Sequence, residues 1–109
     1  MRIYIAGPYT ASTPQQIGRN VANADYVARN ILALGEIPFC AHKMTHGWER
    51  DERFNHNPNN LLSSPFMQMD LSYLADCEAL FKLGDSPGAN LEEERPAAVV
   101  NIASELGSR

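Results

Sequence analysis

The sequence predicts an α/β fold, a small parallel sheet with flanking helices, as one domain over residues 1–109. Three observations carry this. A short β-rich run, Arg2-Ile3-Tyr4-Ile5-Ala6, opens the chain and stops at Gly7-Pro8. A long amphipathic stretch follows, and a second apolar run begins at Ile37. Strand, helix and strand in that order form the βαβ unit, whose strands are parallel and whose crossover is expected to be right-handed.

Each element has a local reason. Residues 9–13 form a small polar loop. Thr13 is the expected helix N-cap, Pro14 suits the first helical position, and Gln16 completes a capping-box pattern. Ile17, Val21, Ala24, Ala28 and Ile31 recur at helical spacing, with Val27 and Leu34 beside them, and Gly35 is the stop. Residues 37–41 read as a second buried strand. Residues 42–64 hold all three histidines and Trp48; a loop of that length is expected to be a lid or an edge of a binding site. Ser64-Pro65 starts a helix predicted from Phe66 to Cys77. Its broad apolar face, which takes in Met67, Leu71, Tyr73 and Leu74, also contains Asp70, and a carboxylate there must be paired, exposed at a cleft, or used. Residues 79–83 are a third strand, and residues 84–90 a turn-rich loop. Glu92, Glu93 and Glu94 are expected to begin a last helix running through Val99, Ile102 and Leu106, with Pro96 making its first turn irregular.

The net charge is −4, and Lys and Arg are few and scattered, which argues against a nucleic-acid partner and for a small molecule. No run is long enough to span a bilayer, so no membrane partner is expected. No secretory leader is visible, and Cys40 and Cys77 read as reduced, buried thiols; a cytoplasmic location is expected. His42 and His46 have helical metal-pair spacing but lack an H-E-x-x-H glutamate and a third ligand, so neither metal nor cofactor is expected. His42 fits better as a ligand-side residue at a strand end.

In open α/β sheets, ligands bind beyond the carboxyl ends of the parallel strands. The loops after all three strands meet there, with Asp70 and Glu92 on bordering helices. Two carboxylates at one apolar-walled cleft are pushed to different pKa values, one a proton donor and one an anion, and this is how glycosidic bonds are usually broken.

Ile3-Tyr4-Ile5-Ala6-Gly7-Pro8, Asp70-Leu71-x-x-Leu74-x-x-Cys77-Glu78-Ala79-Leu80 and Ser86-Pro87-Gly88-Ala89-x-x-Glu92 together resemble, in order, the motifs of the nucleoside 2-deoxyribosyltransferase-like superfamily. The likeness is strongest to its short members and to the deoxynucleoside 5′-monophosphate N-glycosidases. It implies a small three-layer, flavodoxin-like or Rossmann-like fold, and cleavage or transfer of the N-glycosidic bond of a nucleoside or nucleotide. Carried over, Glu92 is the nucleophile, Asp70 the acid, and Tyr4 the residue that holds the nucleophile by a hydrogen bond. Gly7, Pro8, His42, Ser86 and Gly88 are the expected substrate-binding residues, with Gly7 letting the backbone approach the ligand and Ser86 and Gly88 meeting a sugar or 5′-phosphate. The resemblance, with a thin sheet whose edges are open, implies a homo-oligomer, a dimer or larger.

The chain departs from the family pattern at Glu78, where Asp is usual, at Pro96, where Ala is common, and in a first loop that lacks a phosphate-binding Arg. Plainer readings stand beside these: Asp70 on the surface of a rotated helix, Glu92 as a helix-start acid only, Tyr4 as core packing. The competing function is a nucleotide-binding module without turnover.

Overall fold

The computed structural model describes residues 1–55, 57, 59–94 and 100–101. Strand β1 (Arg2–Ala6) leads into helix α1 (Pro14–Ala33), strand β2 (Ile37–Phe39) and a short helix α2 (Ala41–Met44). Three single 3-10 turns follow, at Trp48–Arg50, Glu52–Phe54 and Leu61–Ser63. Then come α3 (Pro65–Leu74), β3 (Ala79–Lys82), α4 (Pro87–Glu94) and the two-residue strand β4 (Val100–Asn101). The sheet order is β2-β1-β3-β4, and every pairing is parallel.

The central strand explains why so small a sheet holds. Alternate residues of a strand face opposite sides, and in β1 both sides are apolar. Ile3 and Ile5 join Ala24 and Ile31 of α1 and Ala79 in one cluster. Tyr4 and Ala6 join Leu74 of α3, Leu80 and Ala89 of α4 in another. Ile3, Ile5 and Leu80 are at most 1% exposed, and each such side chain contributes about 1.5–3 kcal/mol of burial.

Helix α1 starts as its sequence dictates. The Thr13 hydroxyl accepts from the Gln16 N–H at 3.1 Å, with Pro14 next in line. The expected box is only half made, because the Gln16 amide donates to Asn20 instead of reaching back. Gly35, with φ of +87°, ends the helix. Ser64 caps α3 through Met67 N–H, but that helix ends at Leu74, short of the Cys77 expected; Tyr73 is 43% exposed and lies over Phe39.

The largest correction concerns the acidic run. Glu92–Glu94 do not begin a helix; they end α4, which starts five residues earlier at Pro87. Ser86 is the reason. Its hydroxyl accepts from Ala89 N–H at 3.0 Å and its carbonyl from Asn90 N–H at 2.9 Å, a cap-plus-proline start inside what reads as a loop. Val100–Asn101, within the expected last helix, is strand. Pro96, Val99, Ile102 and Leu106 lie outside the described residues. The strands are also shorter than expected, since Ala41 belongs to α2 and Leu83 follows β3. No helix among the described residues is long and apolar enough to cross a membrane.

Candidate active site

An open cleft of about 810 Å³ lies beyond the carboxyl ends of β1, β2 and β3. Its wall takes residues from the segments that follow these three strands: Gly7, Tyr9 and Thr10 after β1, His42 and Thr45 after β2, and Ser86 to Ala89 after β3. Helix α3 contributes Phe66, Met67 and Asp70. The segment 45–64 supplies Glu49, Phe54, Asn55, Leu61 and Ser64, and each of its three 3-10 turns places a residue in this wall.

Of the three carboxylates among the described residues of the cleft wall, Asp70 and Glu92 lie beside Tyr4. Helix α4 places Gly88 and Glu92 four residues apart on one face, and Glu92 is 5% exposed. Sequence alone leaves three adjacent glutamates to choose among; packing separates them. Glu93 is bound by Lys82, Glu94 is exposed, and Glu92 turns inward. The Tyr4 hydroxyl donates to Glu92 Oε2 in a short, buried hydrogen bond. A phenol has one proton, so Tyr4 has none left for Asp70. Asp70 Oδ1 is buried and accepts from no group among the described residues. An unpartnered buried oxygen of this kind is costly and needs either its own proton or a donor from a ligand.

Burial governs the ionisation of all three. It raises Asp70 to about 6. It raises Glu92 to about 7, with Tyr4 pulling the other way and the charge of Asp70 adding to the rise. Burial, then the neighbouring acids, also raise Tyr4, which stays a protonated donor throughout the working range. The pair therefore titrates close to neutral pH, above the usual carboxylate range.

The remaining expected residues divide. Ser86 and Gly88 line the cleft at the α4 N-terminus, but the Ser86 hydroxyl already serves as the helix cap. His42 lines the cleft and is 7% exposed. Its Nε2 lies 2.9 Å from the Pro8 carbonyl, which can only accept, so Nε2 carries the proton. Burial lowers the His42 pKa despite the nearby Pro8 and Gly7 carbonyls, leaving the ring neutral at pH 7. Pro8 itself is not among the lining residues; its contribution is the carbonyl that holds His42. Gly7 lines the cleft, yet its smallness answers to a different neighbour. A Cβ there would sit 2.7 Å from the Cβ of Leu83, so Leu83 is what excludes a side chain.

Residue-by-residue sequence reading missed Tyr9, Glu49, Phe54 and Thr45 as cleft residues. The signals were collective, the unusual length of the connection for Thr45, Glu49 and Phe54 and the position of the loop after the first strand for Tyr9, because no periodicity marks which side chains of irregular backbone point inward. Among the described residues no three His, Cys, Asp or Glu side chains are grouped to hold a metal ion. Compared with family models and with curated proteins, the chain matches none.

Proposed function

We propose that the protein cleaves or transfers the N-glycosidic bond of a nucleoside or nucleoside 5′-monophosphate. The observation that carries this reading is the Glu92–Tyr4 hydrogen bond beside the unpartnered Asp70 oxygen, in one cleft. A volume of about 810 Å³ is in the range of sites for small organic ligands. The two clusters on opposite sides of β1 favour the small three-layer, flavodoxin-like arrangement expected of such an enzyme.

In the proposed reaction an ionised Glu92 oxygen attacks the anomeric carbon of the sugar. The bond from that carbon to the base nitrogen breaks, and the protonated Asp70 gives its proton to the departing base. The product is a glycosyl ester on Glu92. Asp70, now an anion, takes a proton from water, whose oxygen attacks the same carbon and frees Glu92. If a second base takes the place of water, its nitrogen attacks and the outcome is transfer. Tyr4 stabilises Glu92 as an anion both before attack and as leaving group. His42, neutral and tied to the first loop, shapes the wall and moves no proton.

The same pair allows a second assignment of roles: burial raises Asp70 to about 6 and Glu92 to about 7, so the one proton can rest on Glu92 instead. Asp70 would then be the nucleophile and Glu92 the acid. Fluorinated substrate analogues that trap the ester, followed by peptide mapping, separate the two assignments. The reaction itself is tested by incubating the protein with ribo- and deoxynucleosides and their 5′-monophosphates and assaying free base. Base release that Glu92→Gln abolishes supports the reading; no release from any member of the panel refutes it.

The reading includes a homo-oligomer. Tyr26, Leu32, Leu34 and Ile37 are large, apolar and at least half exposed along α1 and the β2 edge. Pro38 has no N–H to offer a further strand, so side-chain packing rather than sheet extension is the expected contact. Elution as a strict monomer at micromolar concentration contradicts it.

A further inference from the structure

The reading above leaves Tyr9 and Glu49 without a role, although both line the cleft. Tyr9 is held at both ends. Its carbonyl accepts from Asn20 Nδ2 at 3.0 Å, and the carbonyl before it, that of Pro8, accepts from His42. Its hydroxyl accepts from Gly47 N–H at 3.1 Å and donates to Glu49 Oε2 at 2.9 Å. His46 Nδ1 lies 3.2 Å from the same oxygen. Since the single phenol proton goes to the carboxylate, His46 must donate there through Nδ1–H. Tyr9 thus fills its bonding capacity and fixes the turn Trp48–Arg50 that carries Glu49. Among the described residues Glu49 Oε1 accepts from nothing.

The same cleft also carries an apolar wall. Phe54 and Phe66 meet edge to face with ring centroids 5.4 Å apart, and Leu61 and Met67 line the same cleft. A planar heteroaromatic ring is the kind of ligand such a wall buries by its faces, leaving its edge to be read by polar groups. A carboxylate accepts from an amino group and repels a carbonyl oxygen in the same place.

On the N-glycosidic reading, we propose that Glu49, positioned by Tyr9, is a specificity residue selecting bases that carry an exocyclic amino group over their oxo counterparts. Cytosine is favoured over uracil, and adenine over hypoxanthine. Because Glu49 is exposed, the preference is smaller than for a fully buried contact, roughly 10–100-fold in kcat/KM.

The test measures kcat/KM for both amino/oxo pairs, with the sugar and phosphate state that turns over best, in wild type, Glu49→Gln and Tyr9→Phe. Glu49→Gln, whose amide donates as well as accepts, is expected to lower the amino/oxo ratio about tenfold or more. Tyr9→Phe lowers it a few-fold, in the same direction, an effect that general loosening of the loop would not produce. A wild-type ratio within about threefold of unity, or a ratio unchanged in Glu49→Gln, overturns the proposal. Calorimetric binding of the same nucleosides distinguishes its failure from failure of the enzymatic reading. Amino-selective binding lost in Glu49→Gln, without base release, upholds the role of Glu49 and refutes the glycosidic chemistry. Base release without selectivity refutes the role of Glu49 alone, and neither binding nor release refutes both.

Discussion

Replacing Glu92 by Gln is expected to stabilise the protein, and to do so more as the pH rises. Gln has the shape of a protonated Glu and can still accept from Tyr4. Folding raises the Glu92 pKa from an ordinary 4.5 to about 7, chiefly by burial. The folded chain therefore holds a proton that the unfolded chain has lost, and between those two values stability falls as pH rises. At pH 5 the ionised group costs the fold about 1 kcal/mol, and at pH 8 about 3 kcal/mol, at ~1.4 kcal/mol per pKa unit. The gain from Glu92→Gln should thus be about 2 kcal/mol larger at pH 8 than at pH 5. Urea unfolding of both proteins at pH 5, 6, 7 and 8 measures this directly. A variant that is destabilised by the same amount at every pH would refute the argument, since it would place Glu92 in water or in an ion pair. If the same variant releases no base from any nucleoside that wild type cleaves, one side chain is shown to be kept at the expense of stability.

The pH–rate profile should be a bell. The working state of the pair holds one proton, and with values of about 6 and about 7 it is most populated between them; a rate that climbs steadily to pH 9 contradicts a protonated acid in the cleft. Tyr4→Phe removes the donor that lowers Glu92, so its pKa should rise further and the bell shift to higher pH, with kcat reduced by about 100-fold; an unmoved profile would leave Tyr4 as packing only. Gly7→Ala puts a Cβ against the Cβ of Leu83 at 2.7 Å and should cost about 1–3 kcal/mol in urea unfolding, with a Leu83→Gly background, which lacks that Cβ, removing most of the added loss. Thr13→Ala deletes the α1 cap and should cost about 1 kcal/mol with no effect on ligand binding.

Patterns that repeat along the chain could be read from the sequence. The apolar period of α1, its Thr13-Pro14 start and its Gly35 end, the first strand to the residue, and the parallel order of strands all follow from local rules, because a cap, a stop or a stripe needs only its neighbours in sequence. Asp70 within an apolar helix face was visible for the same reason. Tertiary structure decided the rest. Ser86-Pro87 starts α4 only because that helix can lie on β1 and β3 and bury Ala89, which moved the glutamates from the head of a helix to its tail. Glu92, not Glu93, faces Tyr4 because Lys82 on the neighbouring strand takes Glu93. Gly7 is needed by Leu83, 76 residues later in the chain, and no local pattern records such a contact. The Tyr9–Glu49 contact likewise joins two loops, whose backbone has no period, so only the folded chain says which side chains meet.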